Sequence, residues 1–181
     1  MKIAILAWGS LIWQPKNLDF DKVFGWKKDG PTLPIEFARV SKDGRLTLVI
    51  TENGTKVPVL YTLSNHQSLD EAVLNLAIRE GSGRKRVGSY DKNSDIFSSD
   101  FPFKDEIKQW IKNTDFDAVI WTNLGENWTL KTNNRIEYLK NIESYTNALA
   151  EEYIRKTPSQ IQTKFRKEVE SELNWTPITN E

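Results

Sequence analysis

Residues 33–63 constrain the fold most strongly, because β-rich segments alternate there with two turn dipeptides. The dipeptides are Asp43-Gly44 and Asn53-Gly54, whose residue types tolerate the positive φ angles of tight hairpins. The segments that they separate are residues 35–40, 46–51 and 57–63. We therefore predict an antiparallel meander of three strands in this part of the chain.

Other segments predict a central strand and several helices. Residues 3–7 form a continuous apolar run with β-branched members, which is typical of a strand covered on both faces. Residues 118–121 predict another strand, and helical spacing predicts helices over 69–80, 103–111 and 136–153 and a last one that starts near Pro158. We therefore predict an α+β fold in a single domain over residues 1–181, with 135–173 as a C-terminal helical extension.

The two long C-terminal helices should each bury one apolar stripe. The predicted inward residues are Leu139, Ile142, Tyr145 and Leu149 in the first of them and Ile161, Phe165, Val169 and Leu173 in the second.

Glu80 stands at an unusual position in the first predicted helix. Ser68 and Glu71 match a capping box at its start, and Leu69, Val73 and Leu76 form an apolar stripe. Glu80 continues this stripe, although a charge that faces a core is costly. Three explanations remain open: an ion pair, exposure by fraying before the next glycine, or a pocket that raises the carboxyl pKa for general base catalysis.

The sequence Trp8-Gly9-Ser10-Leu11 directly follows the predicted strand over residues 3–7. Glycine lets the backbone turn sharply, so that successive N–H groups can point into one concavity and bind a carboxylate or an oxyanion. An ordinary turn at the end of a strand explains the same residues, and spacing alone favours this simpler interpretation.

Residues 81–101 are rich in Gly, Ser, Lys and Asp and predict a mobile surface loop. Residues 81–99 directly follow Glu80, so they form either a rim over a substrate or a plain connector. The basic run Arg84-Lys85-Arg86 lies here, but the segment lacks the spacing of a phosphate-binding loop and follows a helix where a strand is required.

Composition excludes several kinds of chemistry. The chain has no cysteine and one histidine, His66, so thiol nucleophiles, thiolate metal sites and a histidine-rich metal site are not expected. Lys plus Arg and Asp plus Glu both number 25, so no net charge attracts nucleic acid or an anionic membrane. We expect no metal, no cofactor, no nucleic-acid partner and no membrane partner.

The N-terminal segment predicts a cytoplasmic protein. Met1-Lys2 and the apolar run after them could begin a secretory signal, but Trp8 and Trp13 interrupt it and no small-residue cleavage site follows.

Taken in order, these features resemble the γ-glutamylcyclotransferase-like family, nearest to its ChaC-like branch that acts on glutathione. The matching features, over residues 3–90, are the apolar strand that runs into Gly9-Ser10-Leu11-x-Trp13-x-Pro15, then Gly25-Trp26, the hairpins, residues 57–63, the helix ending in Arg79-Glu80, and Gly88-x-Tyr90.

The resemblance implies a fold, an activity and a set of site residues. The fold would be a small, mixed, partly closed β-barrel flanked by helices, and the activity would be cyclisation of a γ-glutamyl compound to 5-oxoproline without metal or cofactor. Glu80 would be the catalytic acid and base, and Trp8, Gly9, Ser10, Leu11 and Tyr90 would bind the substrate. The alternative is a non-catalytic binding domain for a small anionic metabolite or a protein partner, which Trp8 favours because the family has tyrosine there.

Overall fold

The computed structural model describes residues 1–128 and 134–178, which form an α+β structure. The strands are β1 Ile3–Ala7, β2 Thr32–Val40, β3 Leu46–Ile50, β4 Thr55–Pro58, β5 Leu60–Leu63, β6 Val87–Asp91, β7 Ile96–Phe97 and β8 Ala118–Thr122. The helices are α1 Leu69–Arg79, α2 Lys104–Lys112, α3 Arg135–Asn141, α4 Ser144–Lys156 and α5 Lys164–Leu173. The α+β class is thus confirmed. The described strands form two sheets and no closed barrel, so the barrel implied by the resemblance is not confirmed.

The chain divides into two compact units. Unit 1 comprises Met1–Ala7, Gln14–Leu33 and Pro58–Leu124, and unit 2 comprises Trp8–Trp13, Pro34–Val57 and Gly125–Glu181. Residues 135–173, predicted as a helical extension, fall in unit 2 together with β3. That residues 1–181 form one domain stays a prediction.

Unit 1 contains a five-stranded sheet with the order β5-β1-β8-β6-β7. β1 runs parallel to β8 and antiparallel to β5, and all five of its residues are buried. The prediction of a central, doubly covered strand over residues 3–7 is therefore confirmed. Helix α1 packs against β6 and β8.

The prediction of a mobile loop over residues 81–101 is wrong for its central part. Val87–Asp91 form β6, which pairs with β8 on one side and with β7 on the other. Gly88 lies opposite Trp121 in this pairing, and a Cβ on Gly88 would overlap the indole ring. The glycine that suggested flexibility instead makes room for a fully buried tryptophan.

Unit 2 contains a three-stranded sheet with the order β3-β2-β4. The hairpin of β2 and β3 around Asp43-Gly44 confirms the first predicted turn. The second predicted turn is also present, because Gly54 N donates to Thr51 O at 2.9 Å. The pairing and the third strand of the meander are wrong, because β4 pairs with β2 and residues 57–63 are divided between β4 and β5. After β3 the chain crosses the start of β2: Thr51 N donates to Pro34 O at 3.0 Å, and a Cβ on Gly54 would lie 2.5 Å from Pro34 C.

The predicted helix over residues 136–153 is two helices. Ile142 is extended, with ψ of 156°, and the Glu143 side chain accepts a hydrogen bond from Tyr145 N to start α4. This new start changes the buried face: Leu139 is buried as predicted, whereas Tyr145 is 69% exposed. The inward orientation predicted for Tyr145 is therefore wrong. Ile142 and Leu149 are half-buried.

The last helix begins at Lys164, later than predicted, because a buried arginine organises the segment before it. The Arg166 guanidinium is fully buried and donates to the carbonyl oxygens of Thr157, Pro158 and Ile161. Pro158 O also accepts from Ile161 N at 2.9 Å, so residues 158–161 form a turn before the helix starts. The buried stripe is confirmed for Ile161, Phe165 and Val169, while Leu173 is half-buried.

None of the described helices has both the length and the apolar character needed to cross a membrane.

Candidate active site

The Gly-Ser-Leu turn (residues 9–11) lies in unit 2. Ile12 N donates to Gly9 O at 3.0 Å, which closes the predicted turn directly after β1. Leu11 is buried and Ser10 is half-buried. That the backbone amides of this turn bind substrate stays a prediction.

Trp8 is anchored to strand β3. Its side chain is buried, and its indole Nε1 donates to Leu48 O at 3.2 Å. The indole N–H therefore has a partner within the protein, and Trp8 fixes the beginning of the turn. A contact between Trp8 and a substrate stays a prediction.

Gly9 is required here by a close approach and not by its backbone angles. It is absent from the described residues with positive φ, but a Cβ on it would overlap the hydroxyl of Tyr153. The same hydroxyl oxygen accepts a hydrogen bond from Leu48 N at 3.4 Å. Tyr153, on α4, therefore reaches the turn from a position 144 residues further along the chain.

The ring of Tyr153 is held by other side chains of unit 2. Trp13 packs edge-on at 5.3 Å between ring centroids, Phe37 packs edge-on at 6.2 Å, and the Arg45 guanidinium lies 5.8 Å from the ring centroid. Tyr153 carries no signal of this contact in the sequence, because neither its helical position nor its spacing from Gly9 indicates it.

Glu80 lies at the C-terminal end of α1, in unit 1. Its side chain is 15% exposed, and Arg79 Nη1 donates to Glu80 Oε1 at 2.6 Å. Arg79 Nη2 donates to Gln14 O at 2.7 Å, which fixes the guanidinium. Of the three explanations for a carboxylate at this position, the ion pair is therefore present.

The end of α1 is not frayed. Glu80 N donates to Leu76 O, and Gly81 N donates to Ile78 O, both at 3.0 Å. Gly81 adopts the left-handed region with φ of 59°, a common way to end a helix. Exposure of Glu80 by fraying is therefore excluded.

The beginning and the buried face of α1 differ in part from the prediction. Ser68 precedes the helix as expected, but its side chain makes no capping hydrogen bond, so the predicted capping box is wrong. Leu76 is buried as predicted, whereas Leu69 and Val73 are half-buried. The buried face passes through Ala72, Leu76 and Arg79, so Glu80 lies at its border.

Tyr90 lies on β6, in unit 1. It is buried, its ring stacks on Phe97 at 4.3 Å, and its hydroxyl donates to Asp95 Oδ1 at 2.8 Å. Burial, with the Asp95 carboxylate beside it, raises the pKa of Tyr90 to about 12. The hydroxyl therefore has a partner within the hairpin of β6 and β7. A contact between Tyr90 and a substrate stays a prediction.

The six predicted site residues fall into two groups. Trp8 and the Gly-Ser-Leu turn are together in unit 2 with Tyr153, while Glu80 and Tyr90 are in unit 1. That the Glu80 carboxylate lies within reach of the turn stays a prediction. In the described part of the chain, no group of three or more His, Asp or Glu side chains is placed to hold a metal ion.

Comparison with known proteins adds no family or function. No protein-family model, no curated protein and no solved structure matches the chain.

Proposed function

We propose that this chain is a cytoplasmic enzyme of the γ-glutamylcyclotransferase type. It would cyclise a γ-glutamyl amide or peptide, of which glutathione is one, to 5-oxoproline and release the amine. The observation that carries the proposal is the Glu80 carboxylate, which is only 15% exposed and is held at an ordered helix end. The resemblance over residues 3–90 supports it, and the partly closed barrel belongs to the same proposal.

The reaction is an intramolecular acyl transfer. Glu80 removes a proton from the α-amino group of the substrate, and the amine nitrogen attacks the γ-carbonyl carbon. Backbone amides of residues 9–11 bind the anionic end of the substrate or the oxyanion that forms. The protonated Glu80 then gives its proton to the departing amine as the γ-amide bond breaks. The substrate carries its own nucleophile, so the enzyme mainly orients it and moves one proton.

Arg79 would orient the catalytic carboxylate. Its Nη1 donates to Oε1 of Glu80 at 2.6 Å, which holds the carboxylate in one orientation. This assignment needs no metal and no cofactor.

The second candidate is a binding domain without catalytic activity. The observation that favours it is the same contact between Arg79 and Glu80, because a carboxylate paired with a buried arginine also serves as a purely structural group. Such a domain would use the Gly-Ser-Leu turn to bind a small anionic metabolite or a protein partner.

Turnover of a γ-glutamyl panel separates the two candidates. The purified chain is incubated with glutathione, a γ-glutamyl amino acid and a neutral γ-glutamyl amide, and 5-oxoproline and released amine are quantified by mass spectrometry. We expect equal amounts of both products from at least one compound. Binding of a panel member in calorimetry without 5-oxoproline would contradict the enzyme and support the binding domain. The absence of both binding and turnover would contradict the enzyme and any binding domain for γ-glutamyl compounds.

A further inference from the structure

We propose that Tyr153 is a positioning residue of the Gly-Ser-Leu turn, so that helix α4 takes part in the substrate site. Tyr153 lies outside residues 3–90, which carry the resemblance. The part of this inference that concerns substrate rests on the proposed function, whereas the part that concerns the turn rests on geometry alone.

The Tyr153 hydroxyl fills the space that a side chain at residue 9 would need. A Cβ on Gly9 would overlap the hydroxyl oxygen, and the next nearest atom, ring carbon Cζ, would lie 3.3 Å away. The hydroxyl therefore packs directly against the backbone of the turn. Its removal would leave a gap the size of one oxygen atom beneath Gly9.

Leu48 links the turn to Tyr153 by hydrogen bonds. Its carbonyl oxygen accepts from the Trp8 indole, and its amide donates to the Tyr153 hydroxyl. The residue before Gly9 and the hydroxyl beneath Gly9 are thus both fixed to the same residue of β3. Together these contacts hold the position of the turn at two adjacent points.

The Tyr153 ring has little freedom to move. It is 6% exposed and lies among Trp13, Phe37 and the Arg45 guanidinium. Because the ring is fixed, the position of its hydroxyl is fixed as well. The backbone amides of residues 9–11 therefore take their orientation partly from a residue of α4.

The first test compares Tyr153→Phe with Tyr145→Phe, a matched control at an exposed tyrosine of the same helix. Backbone amide resonances of residues 9–11 are recorded for both variants by ¹⁵N NMR. We expect them to shift in Tyr153→Phe and to coincide with wild type in Tyr145→Phe. Unchanged amide resonances of the turn in Tyr153→Phe would overturn the inference, whether or not the chain is an enzyme.

Steady-state kinetics test the substrate part with the same two variants. Loss of one positioning hydrogen bond should raise KM for a γ-glutamyl substrate about tenfold in Tyr153→Phe and leave kcat nearly unchanged. Tyr145→Phe should match wild type. Wild-type kinetics in an intact Tyr153→Phe variant would overturn the substrate part. A wild-type chain that forms no 5-oxoproline would refute the proposed function and this part with it, and the amide resonances would still decide the positioning role.

A double-mutant cycle tests the packing without any assay of activity. Gly9→Ala should lower the melting temperature by about 5 °C, because the added methyl group overlaps the hydroxyl. In the Tyr153→Phe background the same change should cost less than half as much, because the nearest remaining atom is Cζ at 3.3 Å. Equal decreases of the melting temperature in both backgrounds would contradict the packing of Tyr153 against Gly9 and overturn the inference.

Discussion

Gly9 and Gly88 show that a glycine can be required because a neighbouring side chain occupies the space where a Cβ would lie. Neither residue has a positive φ, and each lies against an aromatic side chain, that of Tyr153 or of Trp121. In such a position alanine has an acceptable backbone conformation but no space for its methyl group. The cost of substitution therefore depends on whether the aromatic partner can move.

Gly88→Ala should destabilise the protein by about 1–3 kcal/mol, because its methyl group overlaps the indole of a fully buried tryptophan. Gly83→Ala is the matched control, since Gly83 has φ of −79° and nothing lies within 4 Å of its added Cβ. Urea denaturation of both variants measures the difference. Equal stability of the two variants would show that Trp121 does not fill the space at Gly88.

The raised pKa of Tyr90 predicts that the stability of the folded protein falls at alkaline pH. Its pKa is raised from 10.0 to about 12, so the folded state favours the neutral hydroxyl. This contribution is fully present below pH 10 and is lost as the pH rises from 10 through 12. Tyr90→Phe should therefore lose less stability between pH 9 and pH 11.5 than wild type. The measurement is urea denaturation across this range with Tyr145→Phe as control; parallel losses in all three proteins would contradict the assignment.

At the scale of elements, local sequence signals predicted the structures that depend on local interactions. The apolar run of β1, the turn Asp43-Gly44 and the helical period of α1 each act within a few residues, and the structure has each element in place. The pairing of one strand with another is not encoded locally in this way. Asn53-Gly54 specifies a tight turn, but pairing of β4 with β2 depends on non-local contacts that no dipeptide encodes.

The strand β6 illustrates a second limit of local signals. Its residues Val87–Asp91 include a glycine and a serine and follow a basic run, a composition typical of a loop. Pairing with β8 and burial of Trp121 against Gly88 stabilise it as a strand. This stabilisation comes from tertiary packing and cannot be predicted from the residues of the segment itself.

The short 3-10 turn Arg84–Arg86 allows a test of the hypothesis that residues 81–99 form a rim over the substrate. Its three residues are exposed, and it contacts α1, which ends beside Glu80. If these side chains contact the ligand, Arg84→Glu/Arg86→Glu should raise KM for a substrate with free carboxylates more than for a neutral γ-glutamyl amide. Steady-state kinetics with both substrates measure this; equal effects, or none, would make the turn a plain connector.

At the scale of the whole molecule, the two units contain residues from interleaved parts of the sequence. Unit 2 combines Trp8–Trp13, Pro34–Val57 and the C-terminal helices, so Tyr153 can contact Gly9 although most of the chain separates them. Sequence motifs could propose Glu80 and the Gly-Ser-Leu turn as candidates, because each motif is contiguous, and the roles of these residues stay predictions. They raised an ion pair of Glu80 as one of three explanations but did not name Arg79 as its partner, and they could not identify Tyr153, because its contact with Gly9 depends on packing.

The rate of 5-oxoproline formation by Glu80→Gln tests the central claim most directly. Glutamine has a similar shape but cannot accept the α-amino proton, so the rate should fall on the order of a hundredfold to ten-thousandfold. Glu71→Gln, at an exposed carboxylate on the same helix, is the matched control and should retain the wild-type rate. Circular dichroism should show that both variants are folded. Wild-type turnover by a folded Glu80→Gln variant would contradict the assignment of Glu80 as the general base.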